Sequence, residues 1–278
     1  MKKKLYFYLP HCIMYTENIL HQKQESAMKN QKVLAYCNLF GVLRNIEYLV
    51  TNDEECKKAV EGKNLSVQFK VKNGPSGQLT FKNGQAEMKE GFHPSNILLF
   101  FTSPEHFNKM IDGKANPIPL KGLTKIGFLT GPFKKIADRL AYYLKPTENL
   151  LSDTDYFAKS TEMTFYTAFS ALAQIGNHDP KGILNAKHIP DGIIQASIGD
   201  KTGLYITAKN GRLTAHKGFA EKSNARLVFK DIEAAQGILS GKTDTYVALA
   251  TGDLLMKGFI PMVEYMNPIL ELVSGYLA

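Results

Sequence analysis

Apolar and polar positions along the chain change their period several times, and each change marks an element. Over residues 32–50 apolar side chains fall on nearly every side (Val33, Leu34, Leu39, Phe40, Leu43, Ile46), which predicts a helix packed between layers, ending before Asp53-Glu54-Glu55. Residues 161–175 have the same character, through Met163, Phe165, Tyr166, Phe169, Leu172 and Ile175. A more polar helix is predicted over residues 18–30. Alternation then takes over and predicts strands at residues 67–72, 78–81 and 85–89, joined by Gly74-Pro75-Ser76-Gly77 and Asn83-Gly84. Asn-Gly between alternating segments specifies a type I′ hairpin, because both central residues need positive φ. Residues 204–208, Asn210-Gly211 and residues 212–216 repeat that hairpin.

A fourth strand follows at residues 96–101 and again at 225–229. The next helix opens at Ser103-Pro104-Glu105 in one case and at Asp231 in the other, residues whose side-chain oxygens suit an N-cap; Gly113 and Gly241 close them. A fifth strand is predicted at residues 124–128 and 254–258. Each series ends in an amphipathic helix, with Phe133, Ile136, Ala137, Leu140 and Leu144 on one face in the first, and Met262, Tyr265, Met266, Ile269, Leu270 and Val273 in the second.

The two series share a register. Lys82-Asn83-Gly84 and Gly91-Phe92 return 127 residues later as Lys209-Asn210-Gly211 and Gly218-Phe219. After one extra residue before Ser223-Asn224, Ile111-Asp112-Gly113-Lys114 returns at an offset of 128 as Leu239-Ser240-Gly241-Lys242. A register held that long predicts two copies. The Lys145-Pro146 step, where proline disfavours continuing a helix, separates a first domain over residues 1–145 from a second over residues 146–278. The expected class is α+β, each copy a roughly five-stranded, largely antiparallel sheet covered by helices.

Charge separates the copies where hydropathy does not. The net charge of +8 resolves into 22 Lys and Arg against 12 Asp and Glu over residues 1–145, and 12 against 14 over the rest. Cys12, Cys37 and Cys56 are odd in number and have no metal-ligand spacing, which predicts free thiols in a reducing compartment. Met1-Lys2-Lys3-Lys4 followed by Leu5-Tyr6-Phe7-Tyr8-Leu9 begins like a signal sequence, but the apolar run stops at Pro10-His11. The most apolar stretch, residues 33–43, is shorter than the ~20 residues that span a bilayer. A cytoplasmic location is expected.

Catalytic signatures fail on spacing. Gly237-Ile238-Leu239-Ser240-Gly241-Lys242-Thr243 resembles a phosphate-binding loop but has three residues between its glycines, and the motif needs four. It also ends a helix instead of opening one. No H-E-x-x-H pair or G-x-S-x-G elbow occurs, so no catalytic residue or metal is expected; no cofactor and no nucleic-acid partner is expected either. What remains is a load of large apolar side chains on the last elements of each copy. Phe101, Phe107, Met110, Ile126, Phe133 and Ile136 carry it in the first, and Phe229, Ile232, Ile238, Met256, Met262 and Met266 in the second. Periodicity alone allows these to fill an ordinary core or to line a cavity.

Phe69-Lys70-Val71-Lys72-Asn73-Gly74-Pro75-Ser76-Gly77, followed by Lys82-Asn83-Gly84, resembles the sterol carrier protein type 2 family, which shows F-K-V-K-x-G-P-x-G and then K-N-G in its first strands. The similarity continues to Met110-Ile111-Asp112-Gly113-Lys114 and Lys125-Ile126-Gly127, and in the second copy to Ile238-Leu239-Ser240-Gly241-Lys242 and Leu254-Leu255-Met256-Lys257-Gly258. The second copy's front, Ile198-Gly199-Asp200-Lys201-Thr202-Gly203, lacks the proline. The resemblance implies an apolar tunnel between sheet and helices that takes fatty acid, acyl-CoA or a sterol-like ligand, with no catalytic residue. The twelve apolar residues named above are then its expected lining. Two other readings stay open: a scaffold whose tunnels are filled, for which Phe100, Phe101, Phe107, Phe128 and Phe133 supply the bulk, or an accessory subunit presenting acyl-CoA to a separate enzyme. Lys134, Lys135 and Arg139, off the apolar face of the first closing helix, are the candidate contacts for an anionic membrane or ligand head group.

Overall fold

A computed structural model of the protein describes residues 30–277. The helix predicted over residues 18–30 falls outside these, apart from Asn30, as does Cys12. From Gln31 onward the chain forms one compact unit.

The first apolar run is helical from Gln31 to Asn52: α1 (Gln31–Cys37), a π-turn (Asn38–Val42), a 3-10 turn (Leu43–Asn45) and α2 (Ile46–Asn52). The π-turn sits where Asn45 Nδ2 donates to the Gly41 carbonyl at 3.1 Å, a side chain entering the backbone ladder. Asp53 ends this run and caps α3 (Glu54–Val60), accepting from the Cys56 amide at 3.0 Å. Strands β1 (Leu65–Val71), β2 (Ser76–Lys82), β3 (Gln85–Glu90) and β4 (Ile97–Phe101) follow, then α4 (Pro104–Ile111) and β5 (Ile118–Lys121). A 3-10 turn (Leu123–Lys125), α5 (Ile126–Phe128), a π-turn (Leu129–Phe133) and α6 (Lys134–Leu144) close the first half.

The second half begins with α7 (Thr154–His178) and α8 (Pro180–Ala186), capped by Asp179. It continues through β6 (Gly192–Ile198), β7 (Thr202–Lys209), β8 (Arg212–Lys217), β9 (Ala225–Phe229), α9 (Ile232–Leu239), α10 (Thr245–Thr251), β10 (Leu254–Gly258) and α11 (Ile260–Leu277). The two sheets have one topology, β3-β2-β1-β4-β5 and β8-β7-β6-β9-β10. In each, the first and fourth strands pair parallel (β1 with β4, β6 with β9) and every other pair is antiparallel. The class is α+β, two five-stranded mixed sheets each packed with helices.

Equivalence reaches individual hydrogen bonds. Buried Gln68 donates to the carbonyls of Phe69, Gly77 and Gly91 and accepts from the His93 amide; Gln195 does the same with Ala196, Leu204, Gly218 and Ala220. Asn83-Gly84 and Asn210-Gly211 have φ of 52° and 74°, and 52° and 72°, as type I′ turns require. Gly113 and Gly241, both at φ 73°, follow α4 and α9 in the left-handed region, so the loop-like sequence near Gly241 is a helix stop.

The fifth strand of the first half is not where residues 124–128 were expected to place it. β5 is Ile118–Lys121, and the expected segment is helical. Asn116-Pro117-Ile118-Pro119 hides the strand, because proline breaks the alternation signal, yet an edge strand accommodates a residue with no N–H to give. The structural counterpart of Gly258 is therefore Gly122, not Gly127. Gly122 (φ 87°) and Gly258 (φ 84°) are both left-handed, and a Cβ on either would meet the carbonyl oxygen of Asn96 or Asn224, at 2.7 and 2.3 Å. α10 has no counterpart in the first half, where the chain passes from Gly113 almost directly into β5.

Two apolar clusters form, one per sheet, but each takes residues from the other half's central helix. Val33 and Cys37 belong to the cluster on the second sheet, while Tyr156 and Met163 belong to the one on the first. The helical run and α7 pack closely where Gly41 faces Thr167 and Ala171; a Cβ there would lie 3.3 Å from the Thr167 carbonyl.

Candidate functional site

The layer between the first sheet and its helices is filled with aromatic rings in contact. Phe81 meets Phe128 at 5.5 Å between centroids, Phe128 meets Phe133 at 6.2 Å, and Phe133 meets Phe69 at 6.4 Å. Phe69 then meets Phe107 at 6.4 Å, and Phe107 meets Phe101 at 4.9 Å, edge to face. Of the expected lining residues, Phe101, Phe107 and Ile136 are buried in this layer and Met110 and Phe133 pack at its margin. Ile126 lies in the helical segment over residues 124–128, with its side chain exposed.

The second layer carries different side chains on the same frame. Phe69, beside Leu99, corresponds to Ala196, beside Leu227. Phe81, which faces Ala86, corresponds to Ala208, which faces Leu213. Phe107, fourth residue of α4, corresponds to Ala235, fourth residue of α9. All three alanines are buried. Phe165 and Phe169 of α7 turn inward to meet Phe229, at 6.0 and 6.3 Å, and restore part of the volume. Phe229, Met262 and Met266 are buried there, whereas Ile232, Ile238 and Met256 are only partly covered. Beside them Tyr246, Val247, Leu255 and Phe259 are exposed. The layer thus holds more aliphatic and thioether side chains than the first, and apolar side chains stand exposed along α10 and β10 beside it.

Among the three basic residues expected at the surface, Arg139 is partly buried in an ion pair. Its Nε and Nη2 donate to Asp53 Oδ2 at 3.0 and 2.5 Å, Nη2 lies 2.7 Å from the Tyr143 hydroxyl, and the guanidinium stacks on Tyr142 and Tyr143. Burial opposes the charge on Asp53, but Arg139, the Cys56 amide and Tyr143 together outweigh it and hold the carboxyl below its ordinary value. Lys134 and Lys135 are exposed, and Lys134 pairs with Asp138 at 2.7 Å.

Between the halves lies a polar seam that sequence reasoning did not find, because its members are far apart in the chain and belong to no motif. Arg44 Nη1 donates to the Ala215 carbonyl at 3.0 Å, and Lys217 Nζ sits 3.2 Å from Glu47 Oε2 and over the Tyr166 ring. Burial pushes the Lys217 ammonium down to about 8 against the pull of Glu47. Glu162 accepts from both Tyr48 and Thr202. A cavity of about 150 Å³ opens beside this seam, bounded by Phe40, Arg44, Met88, Glu90, Ser170, Gln174, Thr214, Ala215 and His216. Its mixed polar and apolar walls and small volume suit a few waters better than a lipid chain. Among the described residues no cluster of His, Cys, Asp and Glu could hold a metal ion, and no helix is long and apolar enough to cross a membrane.

No protein-family model matches the sequence, and no curated protein matches it significantly. Solved structures do. The sterol carrier protein domain 2 of Helicoverpa armigera is similar at 15% identity, covering 40% of this chain and 89% of that one, with a TM-score of 0.33. Sterol carrier protein 2 from Yarrowia lipolytica, in its apo form, is similar at 21% identity over 38% of this chain and 86% of that one, with a TM-score of 0.27. An inverting sec-alkylsulfatase from a Pseudomonas species is similar at 15% identity over 51% of this chain but 28% of that one, with a TM-score of 0.26.

Proposed function

We propose that the protein binds a long apolar molecule, of the fatty-acyl kind, in the second layer, without acting on it chemically. The observation that carries this reading is the exchange of Phe69, Phe81 and Phe107 for Ala196, Ala208 and Ala235 on an otherwise shared frame. Small residues at three inward positions, methionines around them and a partly exposed apolar rim are what entry of a flexible chain requires. At ~0.8 kcal/mol per buried methylene, ten methylenes contribute about 8 kcal/mol, micromolar affinity before ordering costs. A bilayer offers the same burial, so exchange between layer and membrane is close to neutral and suits a carrier.

The test is native mass spectrometry of gently purified protein, together with titration of the delipidated chain with a fluorescent fatty acid. One lipid per chain is expected, and Ala196→Phe with Ala235→Phe should abolish uptake while the chain stays folded. Undiminished uptake in that variant would remove the site from the second layer. The first layer favours a second reading for its own half: its contiguous rings make it a filled, structural copy, in keeping with the scaffold alternative. Phe107→Ala should then lower stability by about 3–5 kcal/mol, as truncation of a packed core ring does.

A further inference from the structure

An apolar strip rimmed by lysines runs along the β5 edge of the first half. Ile118 and Leu120 share one side of β5, and Leu123 and Ile126 lie one helical turn apart just beyond it; they are 40, 58, 63 and 39% exposed. Lys114, Lys121, Lys125, Lys134 and Lys135, all exposed, are interleaved with this segment or flank it. Asp112 lies 3.7 Å from Lys114 and Asp138 lies 2.7 Å from Lys134. Lys121 donates to the Ser95 carbonyl at 2.6 Å, and among the described residues no carboxylate pairs with Lys121, Lys125 or Lys135. The second half exposes apolar residues at a different place, on α10 and along β10, with fewer bases among them. In sequence, Lys242 and Lys257 accompany Tyr246, Val247, Leu255 and Phe259 together with Asp244 and Glu264, while Asp253 pairs with Lys230 at 3.3 Å.

We propose that this strip docks on an anionic lipid bilayer, its apolar side chains entering the headgroup region and its lysines meeting lipid phosphates and carboxylates. Apolar side chains bordered by bases are what an interfacial segment presents to lipid, and the attraction acts only within about one Debye length, ~8 Å at physiological salt. A second copy of the chain is a poorer occupant: Pro119 has no N–H to offer across the edge, and Lys121 would face its own kind. The proposal is independent of what the second layer holds.

Co-sedimentation of the full chain with phosphatidylcholine vesicles, with and without phosphatidylserine, tests it. Binding is expected only with phosphatidylserine and should weaken with salt. Lys121→Glu with Lys125→Glu should lower the partition at least about tenfold, as should Leu120→Ser with Leu123→Ser, while Lys201→Glu in an exposed turn of the second half changes nothing. Circular dichroism checks folding; if the β5 variants misfold, Leu123→Ser with Lys125→Glu, both outside the sheet, carries the test. Equal binding to both vesicle types, undiminished binding in the folded variants, or a dimer that dissociates on Leu120→Ser without vesicle binding would overturn the proposal.

Discussion

The Tyr276 hydroxyl donates to Asp179 Oδ2 at 2.7 Å, and Tyr143 stands in the same relation to Asp53 in the first half, at 3.0 Å. In each case the aspartate caps the short helix after a central helix, and the tyrosine comes from the closing helix. The closing helix is thereby latched to the start of its own half. Four residues before the tyrosine the halves part: Arg139 adds an ion pair to the first latch, while Leu272 occupies that place in the second.

Arg139→Ala should therefore destabilise the chain by about 2 kcal/mol, less than a fully buried pair because the guanidinium is partly exposed, and Tyr276→Phe by about 1 kcal/mol. The Asp53 carboxyl is held below its ordinary value, so the unfolded chain takes up its proton first as pH falls. Its contribution is fully present above the unfolded value of ~3.9 and is lost as pH drops through the folded one. Urea midpoints measured down to pH 3 should fall more steeply in the parent than in Asp53→Asn, and parallel slopes would refute the latch.

A second acid response belongs to His178. Its ring stacks on Tyr36 at 3.5 Å, and burial, helped by Arg212 and Lys32, pushes the imidazole down to about 4. The folded chain keeps it neutral where the unfolded chain, at ~6.5, protonates it, so stability falls from pH ~6.5 down to about 4 and is flat above. His178→Gln should flatten that window, which lies above the one set by Asp53. Thermal midpoints at pH 7, 5.5 and 4.5 separate the two.

The halves should unfold together. Val33 and Cys37 complete the second cluster, Tyr156 and Met163 complete the first, and Lys217, Arg44 and Glu47 join the two across the seam. Equilibrium denaturation should show one transition by fluorescence and by circular dichroism. Residues 1–145 and 146–278 expressed separately should each be less stable than the whole, since each leaves apolar positions uncovered. Two resolved transitions matching the separate halves would show that the crossing residues contribute little.

Sequence periodicity revealed the central helices, the Asn-Gly hairpins and the caps at Ser103 and Asp231, because each depends on local chemistry that repeats in register. It could not reveal that Gln68 and Gln195 hold three carbonyls each, since a lone glutamine in a strand has no pattern. Nor could it show where bulk is lost: Phe107 and Ala235 are both buried, and only their placement in a shared frame makes the difference visible. Helical period puts Arg139 off the apolar face and so predicts a surface base, because its partner Asp53 is remote in sequence.

Gly122 and Gly127 separate the two placements of the fifth strand most directly. The sequence resemblance pairs Gly127 with Gly258, whereas the structure gives that role to Gly122, left-handed and close to the Asn96 carbonyl. Alanine at 122 must adopt positive φ and also move the backbone its Cβ meets at 2.7 Å, so Gly122→Ala should cost more than the roughly 1 kcal/mol of conformational strain alone. Gly127 is helical with open space around it, so Gly127→Ala should stabilise the chain by about 0.5–1 kcal/mol. Opposite signs in chemical denaturation are the expected result. If Gly127→Ala were the damaging change, the strand would lie at residues 124–128 after all, and Leu123 and Ile126 would leave the exposed strip for the edge of the sheet.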